Sequence, residues 1–359
     1  MPATDQRSEA GSVIIVSNER DRLSASFSRF AALECANAPL YRRLATAVAG
    51  DEDLLAIASV AEHGPVPNLF LAAVHDLLLR DHGEGLSEFY PTLATAPRPV
   101  SEAPAAFRAF VLCHAERIET TLRQRLVQTN EVRRASVLYL ALAWLARRYG
   151  LSRIGLIEVG ASAGLLLAVD RYDYSFKCGS PDGPPSSRFK IQTRVDGGPR
   201  AIAPDLPEIV ERIGIDLNVL DIRDEADRRW LQALVWADQP ERLVVLDRAM
   251  DVARDVPMTL LQGDANLLLP ELLDRLPMSI PAVVFHSHTL NQFPAEAGAR
   301  FKQALIDGSQ ARDVYRIAME YEDSEPTLSV TAYLDGVGNE PTRLAHYDAH
   351  GSQVRWLES

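Results

Sequence analysis

The 359-residue chain is 47% hydrophobic and 24% charged, a balance that excludes a disordered or fibrous polymer and suffices for one large core or two ordinary ones. Its formal charge of -12 is unevenly carried: residues 1–150 hold 17 acidic and 16 basic side chains, whereas residues 151–359 hold 32 and 21. The second part lacks the clustered Lys and Arg needed to grip a phosphate backbone, so no nucleic-acid partner is expected and a small or cationic ligand is easier to accommodate.

Cys35, Cys113 and Cys178 lie far apart with no CxxC pair, which argues against a disulfide framework or zinc knuckle and for a reducing cytoplasm. The opening MPATDQRSEAGSVIIVS has no basic lead and no long apolar core, so no secretory signal is expected. The longest uncharged apolar run, Val137 to Ala146, is ten residues, too short for a bilayer, and no membrane partner is expected.

From Glu19 to about Val127, apolar residues recur at spacings of three and four, as in ASFSRFAALECA, EDLLAIASVA and NLFLAAVHDLLLR, which predicts an all-helical region. In QTNEVRR, Thr129 or Asn130 can cap the helix that follows and Glu131 suits its first turn; the alternative is a substrate or lid role for Gln128, Asn130 and Glu131. ASVLYLALAWLARRYG is apolar on nearly every face and stops at Gly150, as a buried helix would.

From Ile154 onward, β-rich runs alternate with helical ones, the pattern of a parallel sheet covered on both faces. The predicted strands are IGLIEV, RIGID, MTLLQG, AVVFHS and VYRIAME, closed by TLSVTAYL and TRLAHYDAHGSQVRWLE as an antiparallel hairpin. The Gly- and Pro-rich Ser175 to Pro207, which includes RFKIQTRV, is predicted to be an inserted strand or hairpin.

Two motifs overlap in LIEVGASAGLLLAVDRY. Gly160 to Gly164 spells GxSxG between a strand and a helix, the setting of a nucleophile elbow, with Asp264 and then His286, His288, His346 or His350 following in hydrolase order. That reading makes Ser162 a nucleophile, yet it leaves Glu158 without a role and supplies no preceding HGGG-type segment. The other reading is a ligand cradle, in which a strand ends in Glu158, turns at Gly160 and enters a helix at Gly164, at the edge where open parallel sheets bind ligands.

The cradle stretch resembles class I S-adenosylmethionine-dependent methyltransferases. The resemblance implies that Glu158 faces the aminoacyl end of S-adenosylmethionine and that Gly160, Ala161, Ser162 and Gly164 make room for it. It further implies that Asp216 of IGIDLN meets the ribose hydroxyls and that Asp264 and Ala265 of LLQGDANLLLP contact adenine. Ser162 replaces the middle glycine, and Asp216 lies 56 residues beyond Gly160 (216 minus 160), a gap the insertion would fill.

Through QTNEVRR, EVGASAGLLLAVDRYDY, RIGIDLNVLDI and RRWLQALVWADQPERL, most of the chain is similar to a bacterial family built on domain of unknown function 2332. The expected fold class is α/β: a methyltransferase-like Rossmann fold over 128–359, with an inserted hairpin around 175–207, behind a helical cap over 1–127.

His286 and His288 are two apart, so on a strand both would face one way as a base and its neighbour; without a third ligand no metal is expected. Asn291 is a candidate substrate or lid contact, and Glu320, Glu322 and Asp323 read as a solvated strand end, the alternative being that they line the cleft. The expected activity is S-adenosylmethionine-dependent methylation of a small molecule, with the helical part over the cleft. The rival readings are a serine hydrolase using Ser162 and a nucleoside-binding sensor without catalysis. The oligomeric state is not readable.

Overall fold

The computed structural model describes residues 19–81, 85–128, 130–177, 190–197 and 206–357. It is mixed α/β, and the chain divides into two units: one comprises Met1–Thr129 with Glu225–Val244, the other Asn130–Asp224 with Val245–Ser359. Among the described residues, no helix is long and apolar enough to cross a membrane.

The first unit is helical, with helices at Pro39–Ala49, Glu52–Ala58, Val66–Asp81, Ala103–Cys113, Ala115–Gln124 and Glu225–Ala233. Phe70 packs edge-on against Phe27 and Phe107, at centroid distances of 5.9 and 6.1 Å. Glu225–Val244 belongs here because its polar groups answer buried ones. Asp238 accepts from the Leu40 and Tyr41 amides at 2.8 and 3.0 Å, opening the helix at Pro39. The Ala233 carbonyl bonds buried His75, and Arg229 meets Asp76 at 2.9 Å.

In the second unit, eleven strands among the described residues form one mostly parallel sheet: β1 Arg153–Val159, β2 Tyr174–Lys177, β3 Ile191–Asp196, β4 Glu208–Asp216, β5 Thr259–Gln262, β6 Ala282–Ser287, β7 Val314–Glu322, β8 Glu325–Leu334, β9 Val337–Gly338, β10 Thr342–Tyr347 and β11 Gln353–Trp356. The spatial order is β2-β3-β11-β10-β8-β7-β6-β1-β4-β5, with β9 on β8. β5-β4-β1-β6-β7 are parallel, with the chain leaving β1 first to one side and then to the other. That makes β1 the central strand, and the crevice at its carboxyl end is the usual ligand position in such sheets.

Two expectations change. The closing strands form a longer antiparallel run, β7-β8-β10-β11, rather than a single hairpin. The insertion is not a hairpin, because β2 and β3 pair in parallel and β3 continues in parallel onto β11. Residues 178–189 and 198–205 of the insertion, and Cys178, lie outside the described residues.

Alternation along β1 sends Ile157 and Val159 into an apolar layer with Leu269, Leu273, Phe301 and Leu305 of the helices Ala265–Arg275 and Ala295–Gly308. Leu156 and Glu158 therefore point to the other face. The helix Arg134–Tyr149 is buried as its sequence predicts: Leu138, Leu142 and Leu145 are fully enclosed, each contributing about 1.5–3 kcal/mol. It ends where Gly150 adopts φ 69°, which lets the Leu151 amide reach the Ala146 carbonyl at 3.1 Å.

Candidate functional site

The turn after β1 carries three positive φ angles in five residues: Gly160 (81°), Ser162 (49°) and Gly164 (68°). It holds this shape because the end of β4 binds its main chain. The Gly160 and Ala161 amides both donate to the Ile215 carbonyl, at 2.8 and 3.1 Å, and the Ser162 amide donates to Asp216 Oδ2 at 2.7 Å. Asp216 Oδ1 accepts from the Asn218 amide at 2.8 Å, and the Asp216 carbonyl accepts from Gly263 at 2.8 Å. The GAS, GID and GDA segments thus meet at the carboxyl edge although 48 residues separate the last two (264 minus 216).

A Cβ on Gly160 would fall on the Thr289 side chain, 2.6 Å from its Cγ2, and one on Gly164 would meet Leu260 Cδ2 and Met258 Sδ at 2.9 Å. Each of these glycines is packed against a protein side chain. The helix expected at Gly164 is instead a short 3-10 segment, Leu165–Arg171, kinked at Ala168. Buried Arg212 arrests it by donating to the Leu167 carbonyl and, at 2.6 Å, to Asp170 Oδ2. Without an α-helix N-terminus aimed at the edge, the turn lacks the dipole that draws a pyrophosphate.

Glu158, one residue before the end of β1, lies opposite Gly214 of β4 and Phe285 of β6. It is 3% exposed, and its Oε2 has no hydrogen-bond partner. Burial, and then the nearby Asp216, push its carboxyl well above the ordinary range. Burial also raises Asp216, against the opposing pull of the Asn218, Ser162 and Leu217 amides.

The Ser162 hydroxyl accepts from Asn130 Nδ2 at 2.9 Å, and among the described residues no imidazole is bonded to it. Asp264 is exposed and caps the helix Ala265–Arg275 through the Asn266 amide at 2.8 Å, while Ala265 packs into the apolar layer. Both are accounted for by the start of that helix.

Beyond β6 the two histidines part. His286 is fully buried: Arg316 Nε donates to its Nε2 at 2.9 Å, so its Nδ1–H donates to Glu320 Oε1 at 2.6 Å. Burial lowers its pKa. Glu320 Oε1 also accepts from the Thr289 and Leu290 amides, at 2.9 and 3.0 Å, so Glu320 is a buried anchor rather than a solvated strand end. Although burial opposes it, bonding to His286 holds this carboxyl below its usual value.

His288 lies past the strand with φ 52°, which turns it away from His286 and overturns the expected shared direction. Its ring sits edge-on to Tyr321 at 4.9 Å, and Nε2 shares a 3.0 Å hydrogen bond with the Tyr347 hydroxyl. Burial and the Arg134 charge push its pKa down to about 4. Asn291 is exposed on the next turn.

At the helix start Glu131 Oε1 accepts from the Arg133 amide at 3.3 Å, in keeping with its expected place at the first turn. Arg133 stands at the N-cap with no side-chain cap bond, Asn130 serves Ser162, and Thr129 lies outside the described residues. Gln128 belongs to the helical unit, where it is half-buried. Buried Glu131 accepts from His350 Nδ1 at 3.1 Å, and Arg134 donates to the Ala349 carbonyl at 2.9 Å and to Ser287 Oγ at 3.2 Å.

The sequence reading missed Thr289, Tyr347, Arg134, Arg212 and Arg316. The last two carried a usable signal, since a lone arginine inside an apolar strand (ERIGID, VYRIAME) must find buried acceptors.

Fold and edge define a mixed α/β protein whose mostly parallel sheet gathers the GAS, GID and GDA segments at one carboxyl edge. The chain belongs to the family described as an uncharacterized protein conserved in bacteria (DUF2332), whose model matches residues 24–356. No curated protein and no solved structure matches it.

Proposed function

We propose that the sheet unit binds S-adenosylmethionine at the carboxyl edge of β1 and β4 and passes its methyl group to a small molecule. The observation that carries this reading is Glu158: a carboxyl 3% exposed with an unpartnered oxygen, at the end of the central strand of a mostly parallel sheet. Such a group costs stability and is kept where a ligand answers it.

When bound, the sulfonium supplies an electrophilic methyl carbon. The chain's part is to align the reactants and exclude water. Glu158 faces the cationic end of the donor. Asp216, fixed at the end of β4 by the Ser162 and Asn218 amides, is the residue placed to meet the ribose hydroxyls. His288, whose Nε2 shares a hydrogen bond with the Tyr347 hydroxyl, serves in its Nε2–H tautomer as the proton acceptor, through Nδ1, for an acceptor hydroxyl or amine. His286 acts through Glu320, which holds the Thr289 and Leu290 amides and hence the loop that carries His288. Ser162, bonded to Asn130, belongs to the turn and not to a hydrolase triad.

Incubation of the protein with a small-molecule pool and methyl-deuterated S-adenosylmethionine tests the reading by mass spectrometry. The expected result is one species gaining a labelled methyl group as S-adenosylhomocysteine accumulates, at least about tenfold more slowly with His288→Gln. Donor that binds and stays intact contradicts transfer and favours a sensor.

A further inference from the structure

Resting on the donor reading above, we infer that Glu158 is a carboxylic acid in the empty protein and gives up its proton when a cationic ligand enters, so that binding is an exchange of cation for proton. The argument begins with what surrounds this carboxyl. Across the sheet it faces Gly214 and Phe285, which offer no charge and no side-chain donor. The charge acting on it is that of Asp216, of the same sign.

The other titratable groups around the edge are committed elsewhere. The Tyr172 hydroxyl donates to the Leu165 carbonyl at 2.7 Å, and Arg212 of β4 turns to Asp170. Arg134, at the start of the helix Arg134–Tyr149, bonds Ala349 and Ser287, while Glu131 bonds His350. Ionising a carboxyl in such a place, beside a second carboxylate and with Oε2 lacking a donor, costs far more than leaving it protonated.

Glu320 makes the contrast. It is similarly buried, at 7% exposed, and its Oε2 likewise lacks a partner, but its Oε1 meets an imidazole N–H and two amides, and the His286 bond holds the carboxyl below its usual value. A sulfonium, or the ammonium of an aminoacyl group, would do for Glu158 what those donors do for Glu320. The acid and the cation become an ion pair, and one proton leaves to solvent, so charge balances. Below the pKa of the acid, the affinity for a cationic ligand then rises about tenfold per pH unit. A neutral adenosyl thioether lacking the amino acid, such as 5′-methylthioadenosine, gains nothing.

The test is calorimetric titration of the full chain with S-adenosylmethionine at two values one pH unit apart near neutrality, each in phosphate and in Tris. The expected outcome is about one proton released per donor and about tenfold tighter binding at the higher pH, with neither effect for methylthioadenosine. In Glu158→Gln, residual donor binding exchanges no proton and ignores pH; Asp216→Asn keeps the exchange. Infrared spectra of the empty protein should show a carboxylic-acid C=O band that Glu158→Gln removes. That arm needs no ligand and no surviving binding in the variant.

Donor binding with equal heats in both buffers and equal affinity at both pH values overturns the inference. So does proton release that persists in Glu158→Gln, or the absence of the infrared band. If S-adenosylmethionine fails to bind at all while that band is present, the donor reading is what fails.

Discussion

Two buried glutamates stand at the carboxyl edge of one sheet, Glu158 on β1 and Glu320 on β7, and their surroundings differ in kind. Glu320 Oε1 collects His286 Nδ1–H and the Thr289 and Leu290 amides, and its Oε2, like Glu158 Oε2, has no partner; what sets Glu158 apart is the lack of such a donor cluster and a second carboxylate nearby. At β7 the fold supplies three donors to one oxygen of a buried carboxyl. Among the described residues no comparable set of donors meets Glu158, so the proposed reading assigns one glutamate to stability and the other to binding.

The sharpest way to break this comparison is to remove each carboxylate. Glu320→Ala should cost about 3–5 kcal/mol in urea unfolding, because it strands an imidazole N–H, two amides and the neighbouring Arg316. Glu158→Gln should stay within about 1 kcal/mol of wild type, since no bond inside the protein is lost. Equal losses would make both structural.

Gly160→Ala comes next, with a loss of about 2–3 kcal/mol, because φ is 81° and the new Cβ falls on Thr289. Adding Thr289→Ala should restore the steric share and leave the conformational one, measurable as a double-mutant cycle.

The pH dependence of stability should separate the two glutamates by sign. Glu158, raised by burial, contributes stability that is fully present below its unfolded pKa and is lost as pH rises through the folded one; Glu320, lowered by His286, contributes stability present above its unfolded pKa and lost as pH falls through the folded one. Melting curves of Glu158→Gln should hence decline less than wild type on the alkaline side. A parallel decline would mean that Glu158 is ionised in the empty protein.

The smallest effect is expected at Asn130→Ala, about 1 kcal/mol for one hydrogen bond to Ser162. Neither that variant nor wild type should be labelled by a fluorophosphonate, and stoichiometric labelling of Ser162 would restore the hydrolase reading.

How far these contrasts were legible in the sequence depends on the distance over which each is determined. AVVFHS is β6 residue for residue, and the helix Arg134–Tyr149 ends at its glycine as composition predicts, because periodicity and capping act within a few residues. The partners of the edge residues act over longer spans. Glu320 reaches His286 from 34 residues away, and Asp238 reaches Leu40 from 198 away, so neither leaves a local pattern.

The direction of His288 was hidden for another reason: alternation holds only while φ stays extended, and the positive φ at this residue ends it. The parallel pairing of β2 with β3 was hidden because a short Gly- and Pro-rich insertion suggests a hairpin, while pairing onto β11 is set by the far end of the chain.

The central claim, an adenosyl donor held between Glu158 and Asp216, is tested most directly by equilibrium titration of the full chain with S-adenosylhomocysteine, repeated on Glu158→Ala and Asp216→Ala. The account predicts saturable one-to-one binding that weakens at least about tenfold in each variant, the loss expected for one desolvated polar contact. Absence of binding to wild type, or affinity unchanged in both variants, would contradict it.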